Sequence, residues 1–181
     1  MRTIGGVLIA AAICFGTTVH ATVVVPASLG DLAREAGAIV RGRVVSVEGR
    51  MTADRRAIET LVTIEAEETL KGSLGDLVHF VVPGGSVGRY RSVFVGAPVF
   101  SVNQHVIVFL GWQGASYPFL IGFSQGVYRV QVDAGGSPLV TPPPLPDPSS
   151  RPVAIVRGEP SRRPEALGDF ERRVRALAEP R

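Results

Sequence analysis

The sequence predicts a mainly β fold: a small OB-like barrel of five to six strands, with a short N-terminal helix and a C-terminal amphipathic helix. Three observations predict it. Ile58 to Leu70 alternates with period two, placing Ile58, Thr60, Val62, Ile64 and Ala66 on one face. Turn residues recur at short spacing, at Lys71-Gly72, Pro83-Gly84-Gly85, Gly96-Ala97-Pro98 and Gln113-Gly114. The helices that a doubly wound α/β sheet needs between its strands are missing. At 181 residues and 45% hydrophobic, the chain has apolar material for one packed domain with extensions, so wholesale disorder is excluded. One Cys excludes a disulfide scaffold and the cysteine-rich structural zinc sites.

Met1 to Ala21 reads as a secretory signal peptide. Arg2 supplies the positive start, Ile4 to Phe15 is uncharged and mostly apolar, and Val19-His20-Ala21 approximates the A-x-A cleavage pattern. The apolar run is shorter than the roughly 20 residues of a spanning helix. Ile13 before Cys14 argues against lipoprotein processing. Cleavage between Ala21 and Thr22 would leave a chain without cysteine, secreted or periplasmic, with no membrane span.

Thr22 to Pro26 is a β-prone arm. Ser28, with Asp31 three residues on, begins a small helix whose apolar face is Leu29, Leu32, Ala33 and Ala36, with Gly37 as its C′ stop. Ile39 to Val47 is the first strand, and Gly42 within it marks a bulge or bend. Gly49 to Arg56 is a polar, basic loop. Ile58 to Leu70 and Leu77 to Val82 follow as strands, then a short edge strand at Arg91 to Val95 and a strong strand at Gln104 to Trp112. Tyr117 to Phe123 and Val127 to Val132 read as a hairpin around Ser124-Gln125-Gly126. The barrel domain is thus 22–137. A linker spans 138–163, where seven prolines fall between Pro138 and Pro152. The terminal helix is 164–179, with Pro164 at its first position and Leu167, Phe170, Val174 and Leu177 as its stripe.

Residues 22–150 carry ten basic and eleven acidic side chains, and residues 151–181 carry eight arginines and five acids, so the excess of positive charge belongs to the tail. The tail has one aromatic, Phe170, facing inward, which argues against nucleic acid as a partner.

Few motifs carry chemistry. Gly122-Phe123-Ser124-Gln125-Gly126 matches the G-x-S-x-G nucleophile elbow, but a β-prone run follows it where the elbow needs a helix, and no His comes after Ser124. Pro83 to Gly88 is Gly-rich without the G-K-[ST] of a phosphate loop. Its continuation Arg89-Tyr90-Arg91 makes a contact surface for an anion or partner, or is merely solvated. His79 and His105 could share a zinc with Asp76 or Glu68, but two separate hydrogen-bonded histidines is the favoured reading. No catalytic residue, metal or cofactor is therefore assigned. Glu65 and Glu67 share one strand face rather than flanking a cleft, as paired glycosidase carboxylates would. Trp112 either binds at the barrel mouth or caps the core.

The segments IVRGRVVSVE, VTIEAEETLKG, VHFVVPGG, VGAPVF, VIVFL and GFSQGVYRV, in that order, resemble a group of uncharacterised secreted bacterial proteins. The layout across Thr22 to Val132 is also similar to the netrin-like, or TIMP-like, domain. That resemblance implies an OB-type barrel with a terminal helix. It further implies an inhibitor of zinc endopeptidases whose free N-terminus, here Thr22, chelates the catalytic zinc. The family's N-terminal cysteines are absent here, and with them the disulfides that hold such an arm rigid.

The leading expectation is a secreted, non-enzymatic binding module for a protein or a cell-envelope polymer. Its candidate contacts are Arg55, Arg56, Arg89, Tyr90, Arg91 and Trp112. The alternatives are a TIMP-like inhibitor acting through Thr22 and a serine hydrolase using Ser124.

Overall fold

In the computed structural model, which describes residues 27–114, 117–143 and 163–179, Ser28 caps helix α1 (Leu29–Glu35). Its hydroxyl accepts from the Asp31 N–H while the Asp31 carboxylate accepts from the Ser28 N–H, a complete capping box. Lys71 closes the other end, its Nζ donating to the carbonyls of Ala33 at 2.8 Å and Arg34 at 3.0 Å. Gly37 follows the C-cap Ala36, but not in the left-handed conformation expected of a C′ glycine. The indole of Trp112 lies over it, and a β-carbon there would stand 2.8 Å from the ring. The signal segment with its Ala21/Thr22 junction, the arm Thr22–Pro26 and most of the Pro-rich linker lie outside the described residues.

Strands β1 (Ala38–Met51) and β2 (Ile58–Lys71) form a long antiparallel hairpin, joined by β3 (Leu77–Pro83). The register of β1 against β2 shifts between Arg41 and Gly42, so Gly42 marks a bulge, as its position in the strand predicts. Strand β6 (His105–Gly111) pairs with the first half of β1. The two-residue β7 (Phe119–Leu120) bridges β6 antiparallel and β3 parallel, so the ring β1-β2-β3-β7-β6 closes on itself. This is the OB-like barrel. A further hairpin, β4 (Gly85–Val87) with β5 (Tyr90–Ser92), stands outside the ring.

Several boundaries differ from the sequence reading, each for a reason in the pairing. Gly49–Met51 belongs to β1, because Gly49, Arg50 and Met51 pair with Thr60, Glu59 and Ile58, and the connecting loop shrinks to 52–57. The edge strand expected at Arg91 to Val95 ends at Ser92. The hairpin expected between Tyr117 and Val132 does not form. Instead β7 and β8 (Val127–Val132) both lie along β6, one against each half, interrupted by a 3-10 turn at Phe123–Gly126. Pro138–Thr141, assigned to the linker, forms β9 beside β8, with Pro138 at the strand's first position, where a missing N–H is tolerated. Helix α2 (Leu167–Ala178) begins after Pro164 rather than at it, because Glu165 and Ala166 first pair with β9 as β10.

The alternation of β1 and β6 reads out as two separate cores. Inward side chains, among them Val40, Val44, Val62, Ile64, Phe80, Val106, Val108 and Leu110, fill the barrel. Outward ones from β1, β6, β8 and β9 (Ile39, Ile107, Phe109, Tyr128 and Val140) pack under α1 and α2. Phe170 and Val174 of α2 are fully buried there, and the Phe170 ring lies 4.7 Å from that of Tyr128. Ion pairs fasten α2 at the rim: Arg41 Nε bonds Glu171 at 2.7 Å and also pairs with Glu67, while Arg175 pairs with Glu68. The helix therefore docks on the barrel wall. No helix among the described residues is long and apolar enough to cross a membrane.

Candidate functional site

Most arginines on the barrel wall and on the helices face a carboxylate. Arg34 pairs with Asp31, Arg41 with Glu67 and Glu171, Arg43 with Glu65, and Arg50 with Glu59. On α2, Arg172, Arg173 and Arg175 pair with Asp169, Glu165 and Glu68. Glu65 and Glu67, on one strand face and both exposed, are thus the wall's counter-ions. Among the described residues Arg55, Arg56, Arg89, Arg91, Arg129 and Arg163 form no ion pair, and the first four lie on two neighbouring hairpins, whereas Arg129 of β8 donates to Val99 O at 3.0 Å.

The tips meet because β4 crosses the end of the β1–β2 hairpin. Gly49 lets the backbone of Ser86 lie directly on β1, and Thr60 Oγ1 donates to Gly84 O at 2.8 Å. Arg55, Arg56, Tyr90 and Arg91 then line one groove of about 510 Å³, with Met51, Ile58 and Val87 as its apolar surface. Arg89 stands beside it. Its guanidinium lies 5.3 Å from the Tyr90 ring centroid and donates to the Tyr90 hydroxyl at 3.2 Å.

Asp54 is the acid on the 52–57 loop, and it shapes the loop. Its Oδ1 accepts from Thr52 Oγ1 at 2.6 Å and from the Arg56 N–H at 3.2 Å. The Thr52 hydroxyl first, and the Arg56 N–H second, hold its carboxyl below the ordinary value of 3.8. Arg55 takes a positive φ of 58° in this turn, which directs the chain back into β2.

Of the six predicted contacts, five therefore converge and one does not. Trp112 stacks on Gly37, at the opposite end of β1 from the 52–57 loop. The sequence reading missed the apolar members Met51 and Val87, whose place in the groove depends on β4 crossing β1. It also missed a polar cluster on the wall that the helices leave uncovered: Arg50 lies 4.8 Å from the Tyr117 ring centroid, next to its ion pair with Glu59.

The two histidines sit apart. Nδ1 of His79 bonds Thr63 Oγ1 at 2.9 Å, and Nδ1 of His105 lies 2.8 Å from Glu67 Oε1. Among the described residues no group of three or more His, Cys, Asp or Glu side chains is arranged to hold a metal. Ser124 lies within the 3-10 turn, its N–H donating to Gly96 O at 3.0 Å. Gly122 is left-handed, at φ 67°, and a β-carbon on Gly126 would overlap the Ile121 carbonyl oxygen. The glycines of G-x-S-x-G thus serve a tight connection between β7 and β8, and no α-helix follows the serine. Compared with known proteins, the chain matches no family model, no curated sequence and no solved structure.

Proposed function

We propose that this chain is a secreted, non-enzymatic binding module that recognises an anionic partner through the end of the barrel formed by the 52–57 loop and the β4–β5 hairpin. One observation carries the reading: of the six described arginines without a carboxylate partner, four are gathered at this end, whereas Arg129 donates to Val99 O and Arg163 lies before α2, and the arginines of the β1 wall and of the helices are paired. An unpaired guanidinium keeps its five donors for an incoming anion, and several on adjoining tips bind one cooperatively. Tips with four guanidinium groups against the one carboxylate of Asp54 also draw an anion in by long-range attraction, which salt weakens.

The test uses the chain from Thr22 onward, which retains every described residue, with dextran sulfate as the soluble polyanion. Binding is expected at low salt, falling steeply as salt rises. It should be lost in the triple variant Arg55→Ala, Arg56→Ala, Arg91→Ala and kept in Arg34→Ala, whose guanidinium is already paired with Asp31. Equal binding by the triple variant and the wild type would overturn the assignment.

A further inference from the structure

Beside the arginine groove the chain exposes a second, very different surface. After β5 the segment Val93-Phe94-Val95 leaves the hairpin, and Val93 and Val95 are each 74% exposed, with Val99 at 77%. Such exposure is unusual for three valines on one loop. It is also enforced. Phe94, between the two valines, packs its ring on that of Phe123 at 5.3 Å between centroids while staying 42% exposed, and its carbonyl accepts from the Ala97 N–H at 3.1 Å. The Ser124 N–H holds Gly96 O. With the Phe94 ring held against Phe123, the valines on either side stand further out than it does. Arg91 and Ser92 belong both to the arginine groove and to the cleft that Val93, Phe94 and Val99 line, so the charged and apolar surfaces are continuous.

We infer that this end of the barrel docks on an anionic lipid bilayer, the arginines pairing with headgroup phosphates while Val93, Val95 and Val99 enter the acyl boundary. The inference rests on the proposed anion recognition and names its partner. The chemistry decides among anions. A soluble polyanion needs the guanidinium groups and gains nothing from protruding valines. An acidic peptide seated in the cleft that Val93 and Val99 line would leave Val95, outside that lining and 74% exposed, without a partner. A bilayer supplies phosphate and hydrocarbon side by side, at depths that suit a cationic tip with apolar residues next to it. Tyr90, 60% exposed beneath the Arg89 guanidinium, has the amphipathic character of residues found at headgroup level.

The experiment is vesicle co-sedimentation of the chain from Thr22 onward. One set of vesicles is pure phosphatidylcholine, and the other contains phosphatidylglycerol. Binding only to the anionic vesicles is expected, weakened about fivefold for each arginine removed among Arg55, Arg56 and Arg91. The double variant Val93→Asp, Val95→Asp should lose vesicle binding at least tenfold while still binding dextran sulfate, a split that electrostatics alone would not produce. Both substitutions are on exposed positions, and an unchanged melting temperature would confirm the fold. Three results would overturn the inference. The first is vesicle binding indifferent to the valines. The second is dextran sulfate binding with no vesicle binding, which leaves the anion reading standing. The third is self-association abolished by Val95→Asp, which would make the loop an interface between copies. Binding to neither probe would remove both readings together.

Discussion

The backbone of Ser86 rests on the α-carbon of Gly49 so closely that a β-carbon there would overlap the Ser86 carbonyl oxygen. This contact lays β4 across β1, and so carries Tyr90 and Arg91 to Arg55 and Arg56. Neither surface is flexible enough to yield cheaply, because both atoms are backbone. Gly49→Ala should therefore lift the hairpin and cost about 1–3 kcal/mol of stability. Denaturant unfolding would measure the cost, and dextran sulfate binding should weaken with it. Full binding together with full stability would show that the hairpin can be placed otherwise.

The loop that carries Arg55 and Arg56 should be sensitive to acid through Asp54. Its carboxyl titrates below 3.8 because the charged form accepts the Thr52 hydroxyl and the Arg56 N–H. A carboxyl lowered in the folded state stabilises the fold above its unfolded value and loses that contribution as pH falls through the folded value. The loop should accordingly stay ordered from neutrality down to about pH 4 and loosen below it. An NMR titration should place Asp54 below 3.8, with faster Arg56 amide exchange on the acid side. In Asp54→Asn the acid-dependent step should be missing. An unshifted Asp54 would remove the loop's proposed brace.

Helix α2 should behave as part of the fold. Phe170 is fully buried between Tyr128 and the α1 side of the barrel, far along the chain from the strands it covers. Phe170→Ala should cost about 3–5 kcal/mol, the range for emptying a buried aromatic site. Breaking a rim pair, as in Arg175→Ala, should cost about 1 kcal/mol or less, since both partners are partly exposed. Thermal unfolding of the two variants should rank them in that order. A Phe170→Ala protein as stable as the wild type would mean that α2 undocks readily.

Period-two alternation in β2, the Gly42 bulge and the Ser28 capping box were legible because each is local: side-chain direction, strand irregularity and cap chemistry are set within a few residues. The arginine tips were legible as residues but not as a site. Only the strand crossing at Gly49 brings 52–57 to 85–92, and a glycine in a strand does not say which backbone will lie on it. The break between β7 and β8 was hidden for a related reason. Both segments have strand composition, and their separate pairing with the two halves of β6 depends on a partner distant in sequence. Trp112 was ambiguous between mouth and cap. Its neighbour Gly37 resolves the choice, and nothing local links residue 37 to residue 112.

That pairing yields a direct optical test, because Trp112 is the one tryptophan of the chain. Its six-membered ring covers Gly37, leaving the side chain partly exposed, and the Gly37 N–H donates to Leu110 O at 2.8 Å. A β-carbon at position 37 would stand 2.8 Å from the ring, well inside van der Waals contact, while the backbone is tied by its hydrogen bond. The indole is the freer partner, so in Gly37→Ala it should swing outward into water. The expected signature is a red shift of the emission maximum and faster quenching by iodide. The strands should persist, at a stability cost of about 1–3 kcal/mol for the displaced packing. Dextran sulfate binding should be unchanged, since the groove lies at the other end of β1. An unshifted emission spectrum would mean that the indole does not lie on Gly37 in solution. A loss of polyanion binding would tie Trp112 to the recognition surface after all.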